Sequence, residues 1–474
     1  MKKSLLWEVI AGFSSQEVRD FRRFLRSPYF NTRKDLPVIF EYLAKNKSRK
    51  PPPRTEVFRA IFPERDFTKT EIRLLLSYLF RLVEQFLIIE ENKKNTVGEK
   101  QTLLAVYKNR NLTRHLRKTL KQTEKMHTGA GQRHPEFYLE KYYLEREEYL
   151  LQTKEGRTQE LNLQNLEDNL DAAFISFKLR QACIARSHEA VYNTQYDTRL
   201  IDLLLSTAQE ENFRKVPAVA VYFLCYQALY HAPTDENFRR FREKLIEVTP
   251  DFPQEEIRTL LLLALNYCIK KINKSESLYL QEALDLYRTG LDNDLLLENG
   301  YLSRFAFNNI VGIALRLGEF TWTENFVKTK QNALPAHDRA AAFHLNSARL
   351  EYARRRYDNA LLHLQKSDYR DSINNMTAKI LQMKIYCETR EFDLLESHLN
   401  SMEMYIRRNK KISYHYENWR NIIRYTRRLA EVNNFDKDAV EKLRTEIEKE
   451  SILTEKKWLS ARIDDLKKQK VREK

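Results

Sequence analysis

The chain has 474 residues but only nine glycines and twelve prolines, too few for a turn-rich sandwich, barrel or doubly wound sheet. Its abundance of Leu, Glu, Lys and Arg is typical of long helices and predicts an all-α fold. The net charge is +16, and counting Lys plus Arg minus Asp plus Glu gives +15 for residues 1–133, −6 for 134–400 and +7 for 401–474. The basic ends suit an anionic partner, and a solvated lysine-rich surface is the alternative.

The cysteines indicate a reducing compartment, which predicts a cytoplasmic location. All four are isolated in apolar stretches without CxxC or Cys/His spacing: Cys183, Cys225, Cys268 and Cys387. We therefore expect free thiols, no metal and no cofactor. Glu8 interrupts the apolar start and no small-residue cleavage site follows, so no signal peptide is predicted. The longest uncharged stretch, 216–234, is too polar to span a membrane, and the protein is predicted to be soluble.

The first predicted elements are two helices joined by a corner in FRRFLRSPYFNTRKDL (Phe21–Leu36). Ser14 and Ser15 are good N-cap residues for the first helix, and Pro28 ends it because the residue before a proline avoids the helical region. Tyr29 and Phe30 are predicted to fill the gap between the two helices. The alternative is that they form a motif displayed to a partner.

A basic, proline-rich linker, KSRKPPPR (Lys47–Arg54), follows, and then a long amphipathic helix is predicted between Thr68 and Glu91. Two basic helices are predicted at Thr102–Lys108 and Leu112–Met126. The turn HTGAGQRHP (His127–Pro135) is the predicted domain boundary. The predicted domains are a basic helical domain at 1–133, a repeat domain at 134–452 and a basic C-terminal helix or tail at 453–474, with Trp458, Ile463 and Leu466 on the apolar side of that helix.

Basic residues mark candidate anion-binding surfaces near both ends. Those at three- and four-residue spacing form one stripe on the second basic helix: Arg114, Arg117, Lys118, Lys121 and Lys125. The C-terminal candidates are Arg407 and Arg408 in RRNKK, together with Arg424, Arg427 and Arg428. With Tyr107 available for stacking, these charges make nucleic-acid binding the alternative function. No helix-turn-helix, zinc-finger or RNA-recognition signature accompanies them.

From Pro135 onward the sequence is iterative. An aromatic residue recurs at the start of the predicted second helix of each helix pair: Phe238, Tyr279, Phe320, Tyr357, Phe392 and Phe435. The intervals, by subtraction, are 41, 41, 37, 35 and 43 residues. This near-regular period predicts an α-solenoid of helix pairs.

At these residues the sequence resembles tetratricopeptide repeats. LRLGEF (Leu315–Phe320) resembles that family's turn, with Gly318 as the turn glycine, and ARRRYDNALLHL (Ala353–Leu364) resembles its second-helix opening. The resemblance is good over 340–400 and loose over 230–450; most units lack the closing proline, and Leu395 replaces a small packing residue. A second resemblance, to uncharacterised bacterial helical-repeat proteins, lies in FLRSPYFN and in LDAAFISFKLRQACI (Leu170–Ile184). That resemblance implies no catalytic activity or ligand.

No motif for catalysis is present: there is no Gly-rich phosphate loop, nucleophile elbow or H-E-x-x-H. The sequence therefore predicts a non-catalytic adaptor or scaffold. The resemblance implies that a protein or peptide partner lies in the groove formed by the first helices. The candidate groove residues are Asn308, Asn309, His344, Asn346, Arg349, Lys379 and Gln382. Charge reversal at Arg349 and Lys379 is expected to weaken partner binding without affecting folding.

Overall fold

The computed structural model describes residues 4–47, 50–94, 96–129, 131–155, 160–192, 194–273, 276–366, 372–408, 413–433 and 436–472. The chain is all-α, as its composition predicts. Within the described ranges, the two strands are β1 (Leu297–Glu298) and β2 (Tyr301–Leu302). They pair antiparallel around Asn299 and Gly300, whose φ angles of 51° and 80° suit a two-residue hairpin turn.

The chain divides into two compact units. The first unit comprises Met1–Gly131 and Leu139–Asn169, and the second comprises Gln132–Tyr138 and Leu170–Lys474. The described helices that lie wholly within the first unit are α1 (Leu5–Gly12), α2 (Ser15–Arg26), α3 (Asp35–Lys45), α4 (Arg54–Ile61), α5 (Lys69–Lys94), α6 (Thr96–Asn109) and α7 (Thr113–Gly129). Two long helices have residues in both units: α8 (Pro135–Glu155) and α9 (Leu163–Tyr192).

The remaining described helices belong to the second unit. They are α10 (Ile201–Thr207), α11 (Glu211–Arg214), α12 (Pro217–Tyr226), α13 (Asp235–Val248), α14 (Gln254–Asn273), α15 (Leu278–Asp292), α16 (Arg304–Arg316), α17 (Phe320–Lys330), α18 (Ala336–Ala353), α19 (Tyr357–Gln365), α20 (Ser372–Glu388), α21 (Phe392–Arg408), α22 (Ser413–Glu431), α23 (Lys437–Lys449) and α24 (Lys456–Arg472). A π-helical turn, Gln227–His231, extends α12, and short 3₁₀ turns lie at Thr249–Asp251 and Gln331–Ala333.

An aromatic core holds the first five helices together. Ser14 caps α2 through a reciprocal capping box with Glu17, as its position predicts. Phe21 is fully buried, and its ring lies 4.8 Å from Phe40 and 5.1 Å from Phe86. These edge-to-face and tilted contacts add to the free energy of burying the rings.

The corner between α2 and α3 is only partly filled by its aromatics. The ring of Phe30 stacks on Phe24 with the centroids 4.2 Å apart, as expected of a residue that fills the corner. Tyr29 is 89% exposed, so the prediction that it fills the gap is wrong. Phe30 is itself 37% exposed, so the two aromatics leave the corner partly open to solvent.

In the second unit, every helix from α12 to α23 packs against the next one in the chain. The first helices of successive pairs also meet, at α12 with α14, α16 with α18, and α18 with α20. The recurring aromatics lie in the first turns of the second helices: Phe238 in α13, Tyr279 in α15, Phe320 in α17, Tyr357 in α19 and Phe392 in α21. Phe435 lies outside the described residues.

Three turns between paired helices share one backbone geometry. Gly318, Arg355 and Arg390, each two residues before such an aromatic, have φ angles of 80°, 59° and 64°. The next residue's N–H bonds back to a carbonyl five residues earlier in each turn, at 3.0, 2.8 and 2.9 Å. The second and third turns therefore place arginine in the left-handed region that favours glycine. The local geometry recurs although the residue type does not.

A half-buried ionic network lies at the start of the second unit. The Arg180 guanidinium on α9 donates to Glu136 at 2.7 Å and to Glu256 of α14 at 3.0 Å. The hydroxyl of Tyr222, a fully buried residue of α12, donates to the same Glu256 carboxylate. Burial opposes the charge on Arg180, but the two carboxylates outweigh it and raise the pKa of the guanidinium. The network joins α8, α9, α12 and α14.

No helix in the described part of the chain combines the length and apolar character needed to cross a bilayer.

Candidate functional site

Four polar residues from three consecutive first helices form a connected cluster, which we call the Asn–Arg cluster: Asn308 of α16, Asn346 and Arg349 of α18, and Asn374 of α20. The Asn346 amide donates to the Asn308 Oδ1 at 2.7 Å. The Arg349 Nη1 donates to the Asn308 carbonyl at 3.0 Å and to the Asn346 Oδ1 at 3.2 Å. The Asn308 amide in turn donates to the Asn374 Oδ1 at 3.3 Å.

The cluster is more buried than a groove surface should be. Asn346 is 0% exposed, so the prediction that it lines a groove is wrong, and its amide instead holds α16 and α18 together. Gly312 leaves room for the guanidinium at its observed position, because a Cβ there would lie 2.5 Å from the Arg349 Nη2. Arg349 is half-buried. Its charge reversal is therefore expected to lower stability too, contrary to the sequence-based expectation.

The Arg349 guanidinium is bound only by neutral acceptors. Its hydrogen bonds go to a carbonyl and an amide oxygen, and no carboxylate among the described residues forms an ion pair with it. Burial lowers the pKa of Arg349, and the more distant charge of Glu455 opposes that effect. An arginine remains protonated under such conditions. The cluster thus holds a fixed positive charge that has no direct counter-ion in the part of the chain that the structure describes.

The other predicted groove residues do not join the cluster. Lys379 is directed toward α21, where its ammonium lies 3.5 Å from the Ser401 hydroxyl and 6.0 Å from the Tyr405 ring centroid. Burial lowers the pKa of Lys379. Asn309 is exposed and its amide lies 3.4 Å from the Tyr287 hydroxyl, while Gln382 is half-buried on α20. The structure therefore separates the seven predicted residues into different neighbourhoods.

His344 pairs with a residue that sequence reasoning did not select. Its Nδ1 lies 3.1 Å from the Nδ1 of His363 on α19. Burial lowers the pKa of both imidazoles, so a neutral pair sharing one proton fits the distance. The described residues contain no group of three or more His, Cys, Asp or Glu side chains placed to hold a metal ion.

A second polar centre, also missed from sequence, surrounds Glu388 at the end of α20. Its carboxylate accepts hydrogen bonds from the Tyr352 and Tyr357 hydroxyls, both at 2.6 Å, and from the Trp458 Nε1 at 2.7 Å. The Arg462 guanidinium lies 3.6 Å away. Burial opposes ionisation of Glu388, but these donors outweigh it and hold the pKa of the carboxyl below its usual value.

The hydrogen bonds of Glu388 connect the C-terminal helix α24 to the first helices α18 and α20. Leu459 and Ile463 of α24 are fully buried, and Trp458 and Leu466 pack against the same core, which confirms the predicted apolar side. The Lys384 ammonium of α20 forms an ion pair with Glu455, next to the first residue of α24. Just before it, the Thr454 N–H donates to Asn418 of α22 at 2.8 Å.

The basic stripe on α7 lies on the solvent face of that helix. All five of its residues are exposed: Arg114, Arg117, Lys118, Lys121 and Lys125. Leu116 and Leu120 on the opposite face are buried in the first unit. Tyr107, the candidate stacking residue, is half-buried beside the His115 ring, with the centroids 5.4 Å apart. The stripe is therefore accessible, and Tyr107 offers only part of its ring.

The C-terminal basic residues divide into exposed and paired ones. Arg407 and Arg408 are exposed at the end of α21, and the remainder of RRNKK lies outside the described residues. Arg424 pairs with Glu450 at 2.9 Å, Arg427 pairs with Glu403 at 2.9 Å, and Arg428 forms an ion pair with Glu446. Each of these three arginines therefore already has a carboxylate partner on α21, on α23 or just after α23, and offers less free charge to an external anion than Arg407 and Arg408 do.

Comparison with known proteins returns no match: no protein-family model, no curated protein and no solved structure is similar to this chain. The likeness to tetratricopeptide repeats therefore stays a prediction.

Proposed function

We propose that the chain is a non-catalytic adaptor or scaffold whose helix pairs form a tetratricopeptide-like solenoid and bind a protein or peptide partner along α16, α18 and α20. The observation that carries this proposal is the Arg349 guanidinium. It is half-buried, oriented by Asn308 and Asn346, and bonded to no carboxylate of the described residues. The recurring turn geometry at Gly318, Arg355 and Arg390 supports the solenoid.

A fixed guanidinium of this kind favours an acidic group on the partner. Its Nη1 is held by two oxygens from different helices, so little side-chain entropy remains to be lost on binding. A carboxylate supplies a charge-assisted hydrogen bond, which is about twice as strong as a neutral one. Binding also supplies the counter-ion that the half-buried charge lacks. The partner is therefore expected to present an acidic residue or a C-terminal carboxylate.

The test uses fluorescence anisotropy with a fluorescein-labelled hexaglutamate peptide and the full chain. Arg349→Gln removes the charge but keeps a side-chain N–H donor near the Asn308 carbonyl. We expect this variant to bind the peptide at least about tenfold more weakly, the effect of losing one charge-assisted contact. Arg316→Gln is the matched control, because Arg316 is an exposed residue at the end of α16 and its loss changes the net charge equally.

Equal loss of affinity in both variants would show that only the overall charge attracts the peptide, and the adaptor site at Arg349 would be rejected. Circular dichroism on each variant establishes that the helices are retained. A hexaserine peptide with the same label should bind neither the wild-type chain nor the variants.

The alternative function is nucleic-acid binding, favoured by the five exposed basic residues along α7. A row of Lys and Arg on one helix face neutralises phosphates without sequence specificity, and the affinity falls steeply with salt. We expect Lys118→Gln, Lys121→Gln and Lys125→Gln together to reduce affinity for a labelled 20-mer oligonucleotide about tenfold or more at low salt. The matched control replaces three exposed basic residues scattered over the first unit, Lys34, Arg59 and Lys69, with glutamine.

Both single- and double-stranded oligonucleotides are titrated with the full chain at low and near-physiological salt. Binding that persists at physiological salt and depends on the α7 lysines would favour nucleic acid over the adaptor. Binding lost equally in the control, or abolished by physiological salt, would assign the stripe to solvated surface.

A further inference from the structure

The N-terminal end of α24, a helix that packs against α22 and α23, also bonds to α20, one of the three helices of the proposed partner site. Glu455 pairs with Lys384, and three residues later the Trp458 indole donates to Glu388. Four residues further on, Arg462 lies 3.6 Å from the same Glu388 carboxylate. Spacings of three and four residues place these side chains on one face of a helix. Glu455, Trp458 and Arg462 therefore form a three-point contact, which we call the α24 anchor.

The α24 anchor lies within electrostatic reach of the Asn–Arg cluster. The charge of Glu455 favours the protonated form of Arg349, although the two side chains form no ion pair. On the α20 side the anchor adds packing to its polar contacts, because the Lys384 ammonium lies 5.7 Å from the centre of the Trp458 ring. The chain thus presents its own carboxylate and indole to α20.

We infer that residues 450–466 are a built-in occupant of the α20 part of the proposed groove, and that the partner is a helical segment that displaces them by carrying a carboxylate three residues before an aromatic N–H or O–H donor. This inference rests on the proposed function, since it identifies the partner of that site. The intramolecular helix shows which groups α20 accepts: a carboxylate at Lys384 and a hydrogen-bond donor at Glu388. A partner helix with this pattern would make the same contacts and could extend its acidic end toward Arg349.

The tethered helix has a large advantage over any free competitor. Covalent linkage gives α24 an effective concentration in the millimolar range or above, so a free segment of equal intrinsic affinity binds poorly while α24 is in place. Weakening the α24 anchor should therefore open the site to the same sequence supplied as a separate peptide.

The experiment titrates a fluorescein-labelled peptide of residues 450–466 with the full chain and with two full-chain variants. Trp458→Ala with Leu459→Ala removes the indole and a fully buried leucine of α24. Glu455→Gln with Trp458→Phe removes only the ion pair and the N–H donor and keeps the ring, so the fold is expected to survive. We expect both variants to bind the peptide at least tenfold more tightly than the wild-type chain does.

Two controls make the result specific. Glu448→Gln removes an exposed carboxylate on α23 and should bind the peptide as weakly as the wild-type chain. A peptide carrying the Glu455→Gln and Trp458→Phe changes should bind none of the proteins. The inference would be overturned if the folded variants bind the peptide no better than the wild-type chain does. It would also be overturned if the substituted peptide binds as well as the original one. If the chain does not bind hexaglutamate but this titration gives the expected result, the Arg349 site is rejected and the docking of a helix at α20 is retained.

Discussion

Replacing Arg180 with alanine is expected to lower the free energy of unfolding of the second unit by about 3–5 kcal/mol, the usual cost of removing one partner of a buried ion pair. The reason is the carboxylate that stays behind. The Glu256 side chain is only 12% exposed and would retain the Tyr222 hydroxyl but no cation. Glu136, which is 42% exposed, can be rehydrated and contributes less.

Tryptophan fluorescence measures this change in the second unit alone. The chain has four tryptophans, and only Trp7 lies in the first unit, so a Trp7→Phe background leaves Trp322, Trp419 and Trp458 as probes. Urea titrations of this background with and without Arg180→Ala give the difference in midpoint at constant slope.

Two controls test the cause of the effect. Lys215→Ala breaks an ion pair whose side chains are 72% and 73% exposed, and should change stability by less than about 1 kcal/mol. Adding Glu256→Gln to Arg180→Ala removes the stranded charge and should restore part of the loss. An Arg180→Ala variant as stable as the Lys215→Ala variant would contradict the buried-charge argument.

Local sequence signals predicted the helices well because their causes are local. Interactions between residues at most four apart determine the cap at Ser14, the end of α2 before Pro28 and the long α5. The turn at Gly318 was predicted on a glycine, which the left-handed backbone favours. The same backbone at Arg355 and Arg390 was missed, because arginine gives no sign of a positive φ.

The candidate site was only partly predictable because its bonds join residues far apart in the chain. Asn308, Asn346 and Arg349 were selected as groove residues by resemblance, yet Asn346 is fully buried and holds two helices together. The Glu388–Trp458 hydrogen bond spans 70 residues, and no periodicity of either helix indicates it. Pairing across helices depends on packing, which a single sequence does not encode in any local pattern.

Replacing Glu388 with alanine is expected to lower the free energy of unfolding by about 2–4 kcal/mol, because it leaves three buried or half-buried donors without their acceptor. Tyr352, Tyr357 and Trp458 all donate to this carboxylate, and together they join α18, α19 and α24 to the end of α20. The change is measured by urea unfolding in the same Trp7→Phe background. Asp393→Ala, which removes an exposed carboxylate in the first turn of α21, is the control and should change stability by less than about 0.5 kcal/mol.

The pH dependence of stability distinguishes the contribution of the Glu388 charge from that of the side chain's volume and shape. Its pKa is lowered in the folded chain, so its contribution is fully present above the unfolded pKa of about 4.3 and is lost as the pH falls through the lower, folded value. Glu388→Gln keeps the side-chain volume and one acceptor oxygen but does not titrate. As the pH falls from 7 to below the unfolded pKa of about 4.3, the Gln variant should lose less stability than the parent chain. If both lose stability equally, the carboxylate is not the charged acceptor that fastens α24, and the docking of residues 450–466 would then depend on Leu459 and Ile463 alone.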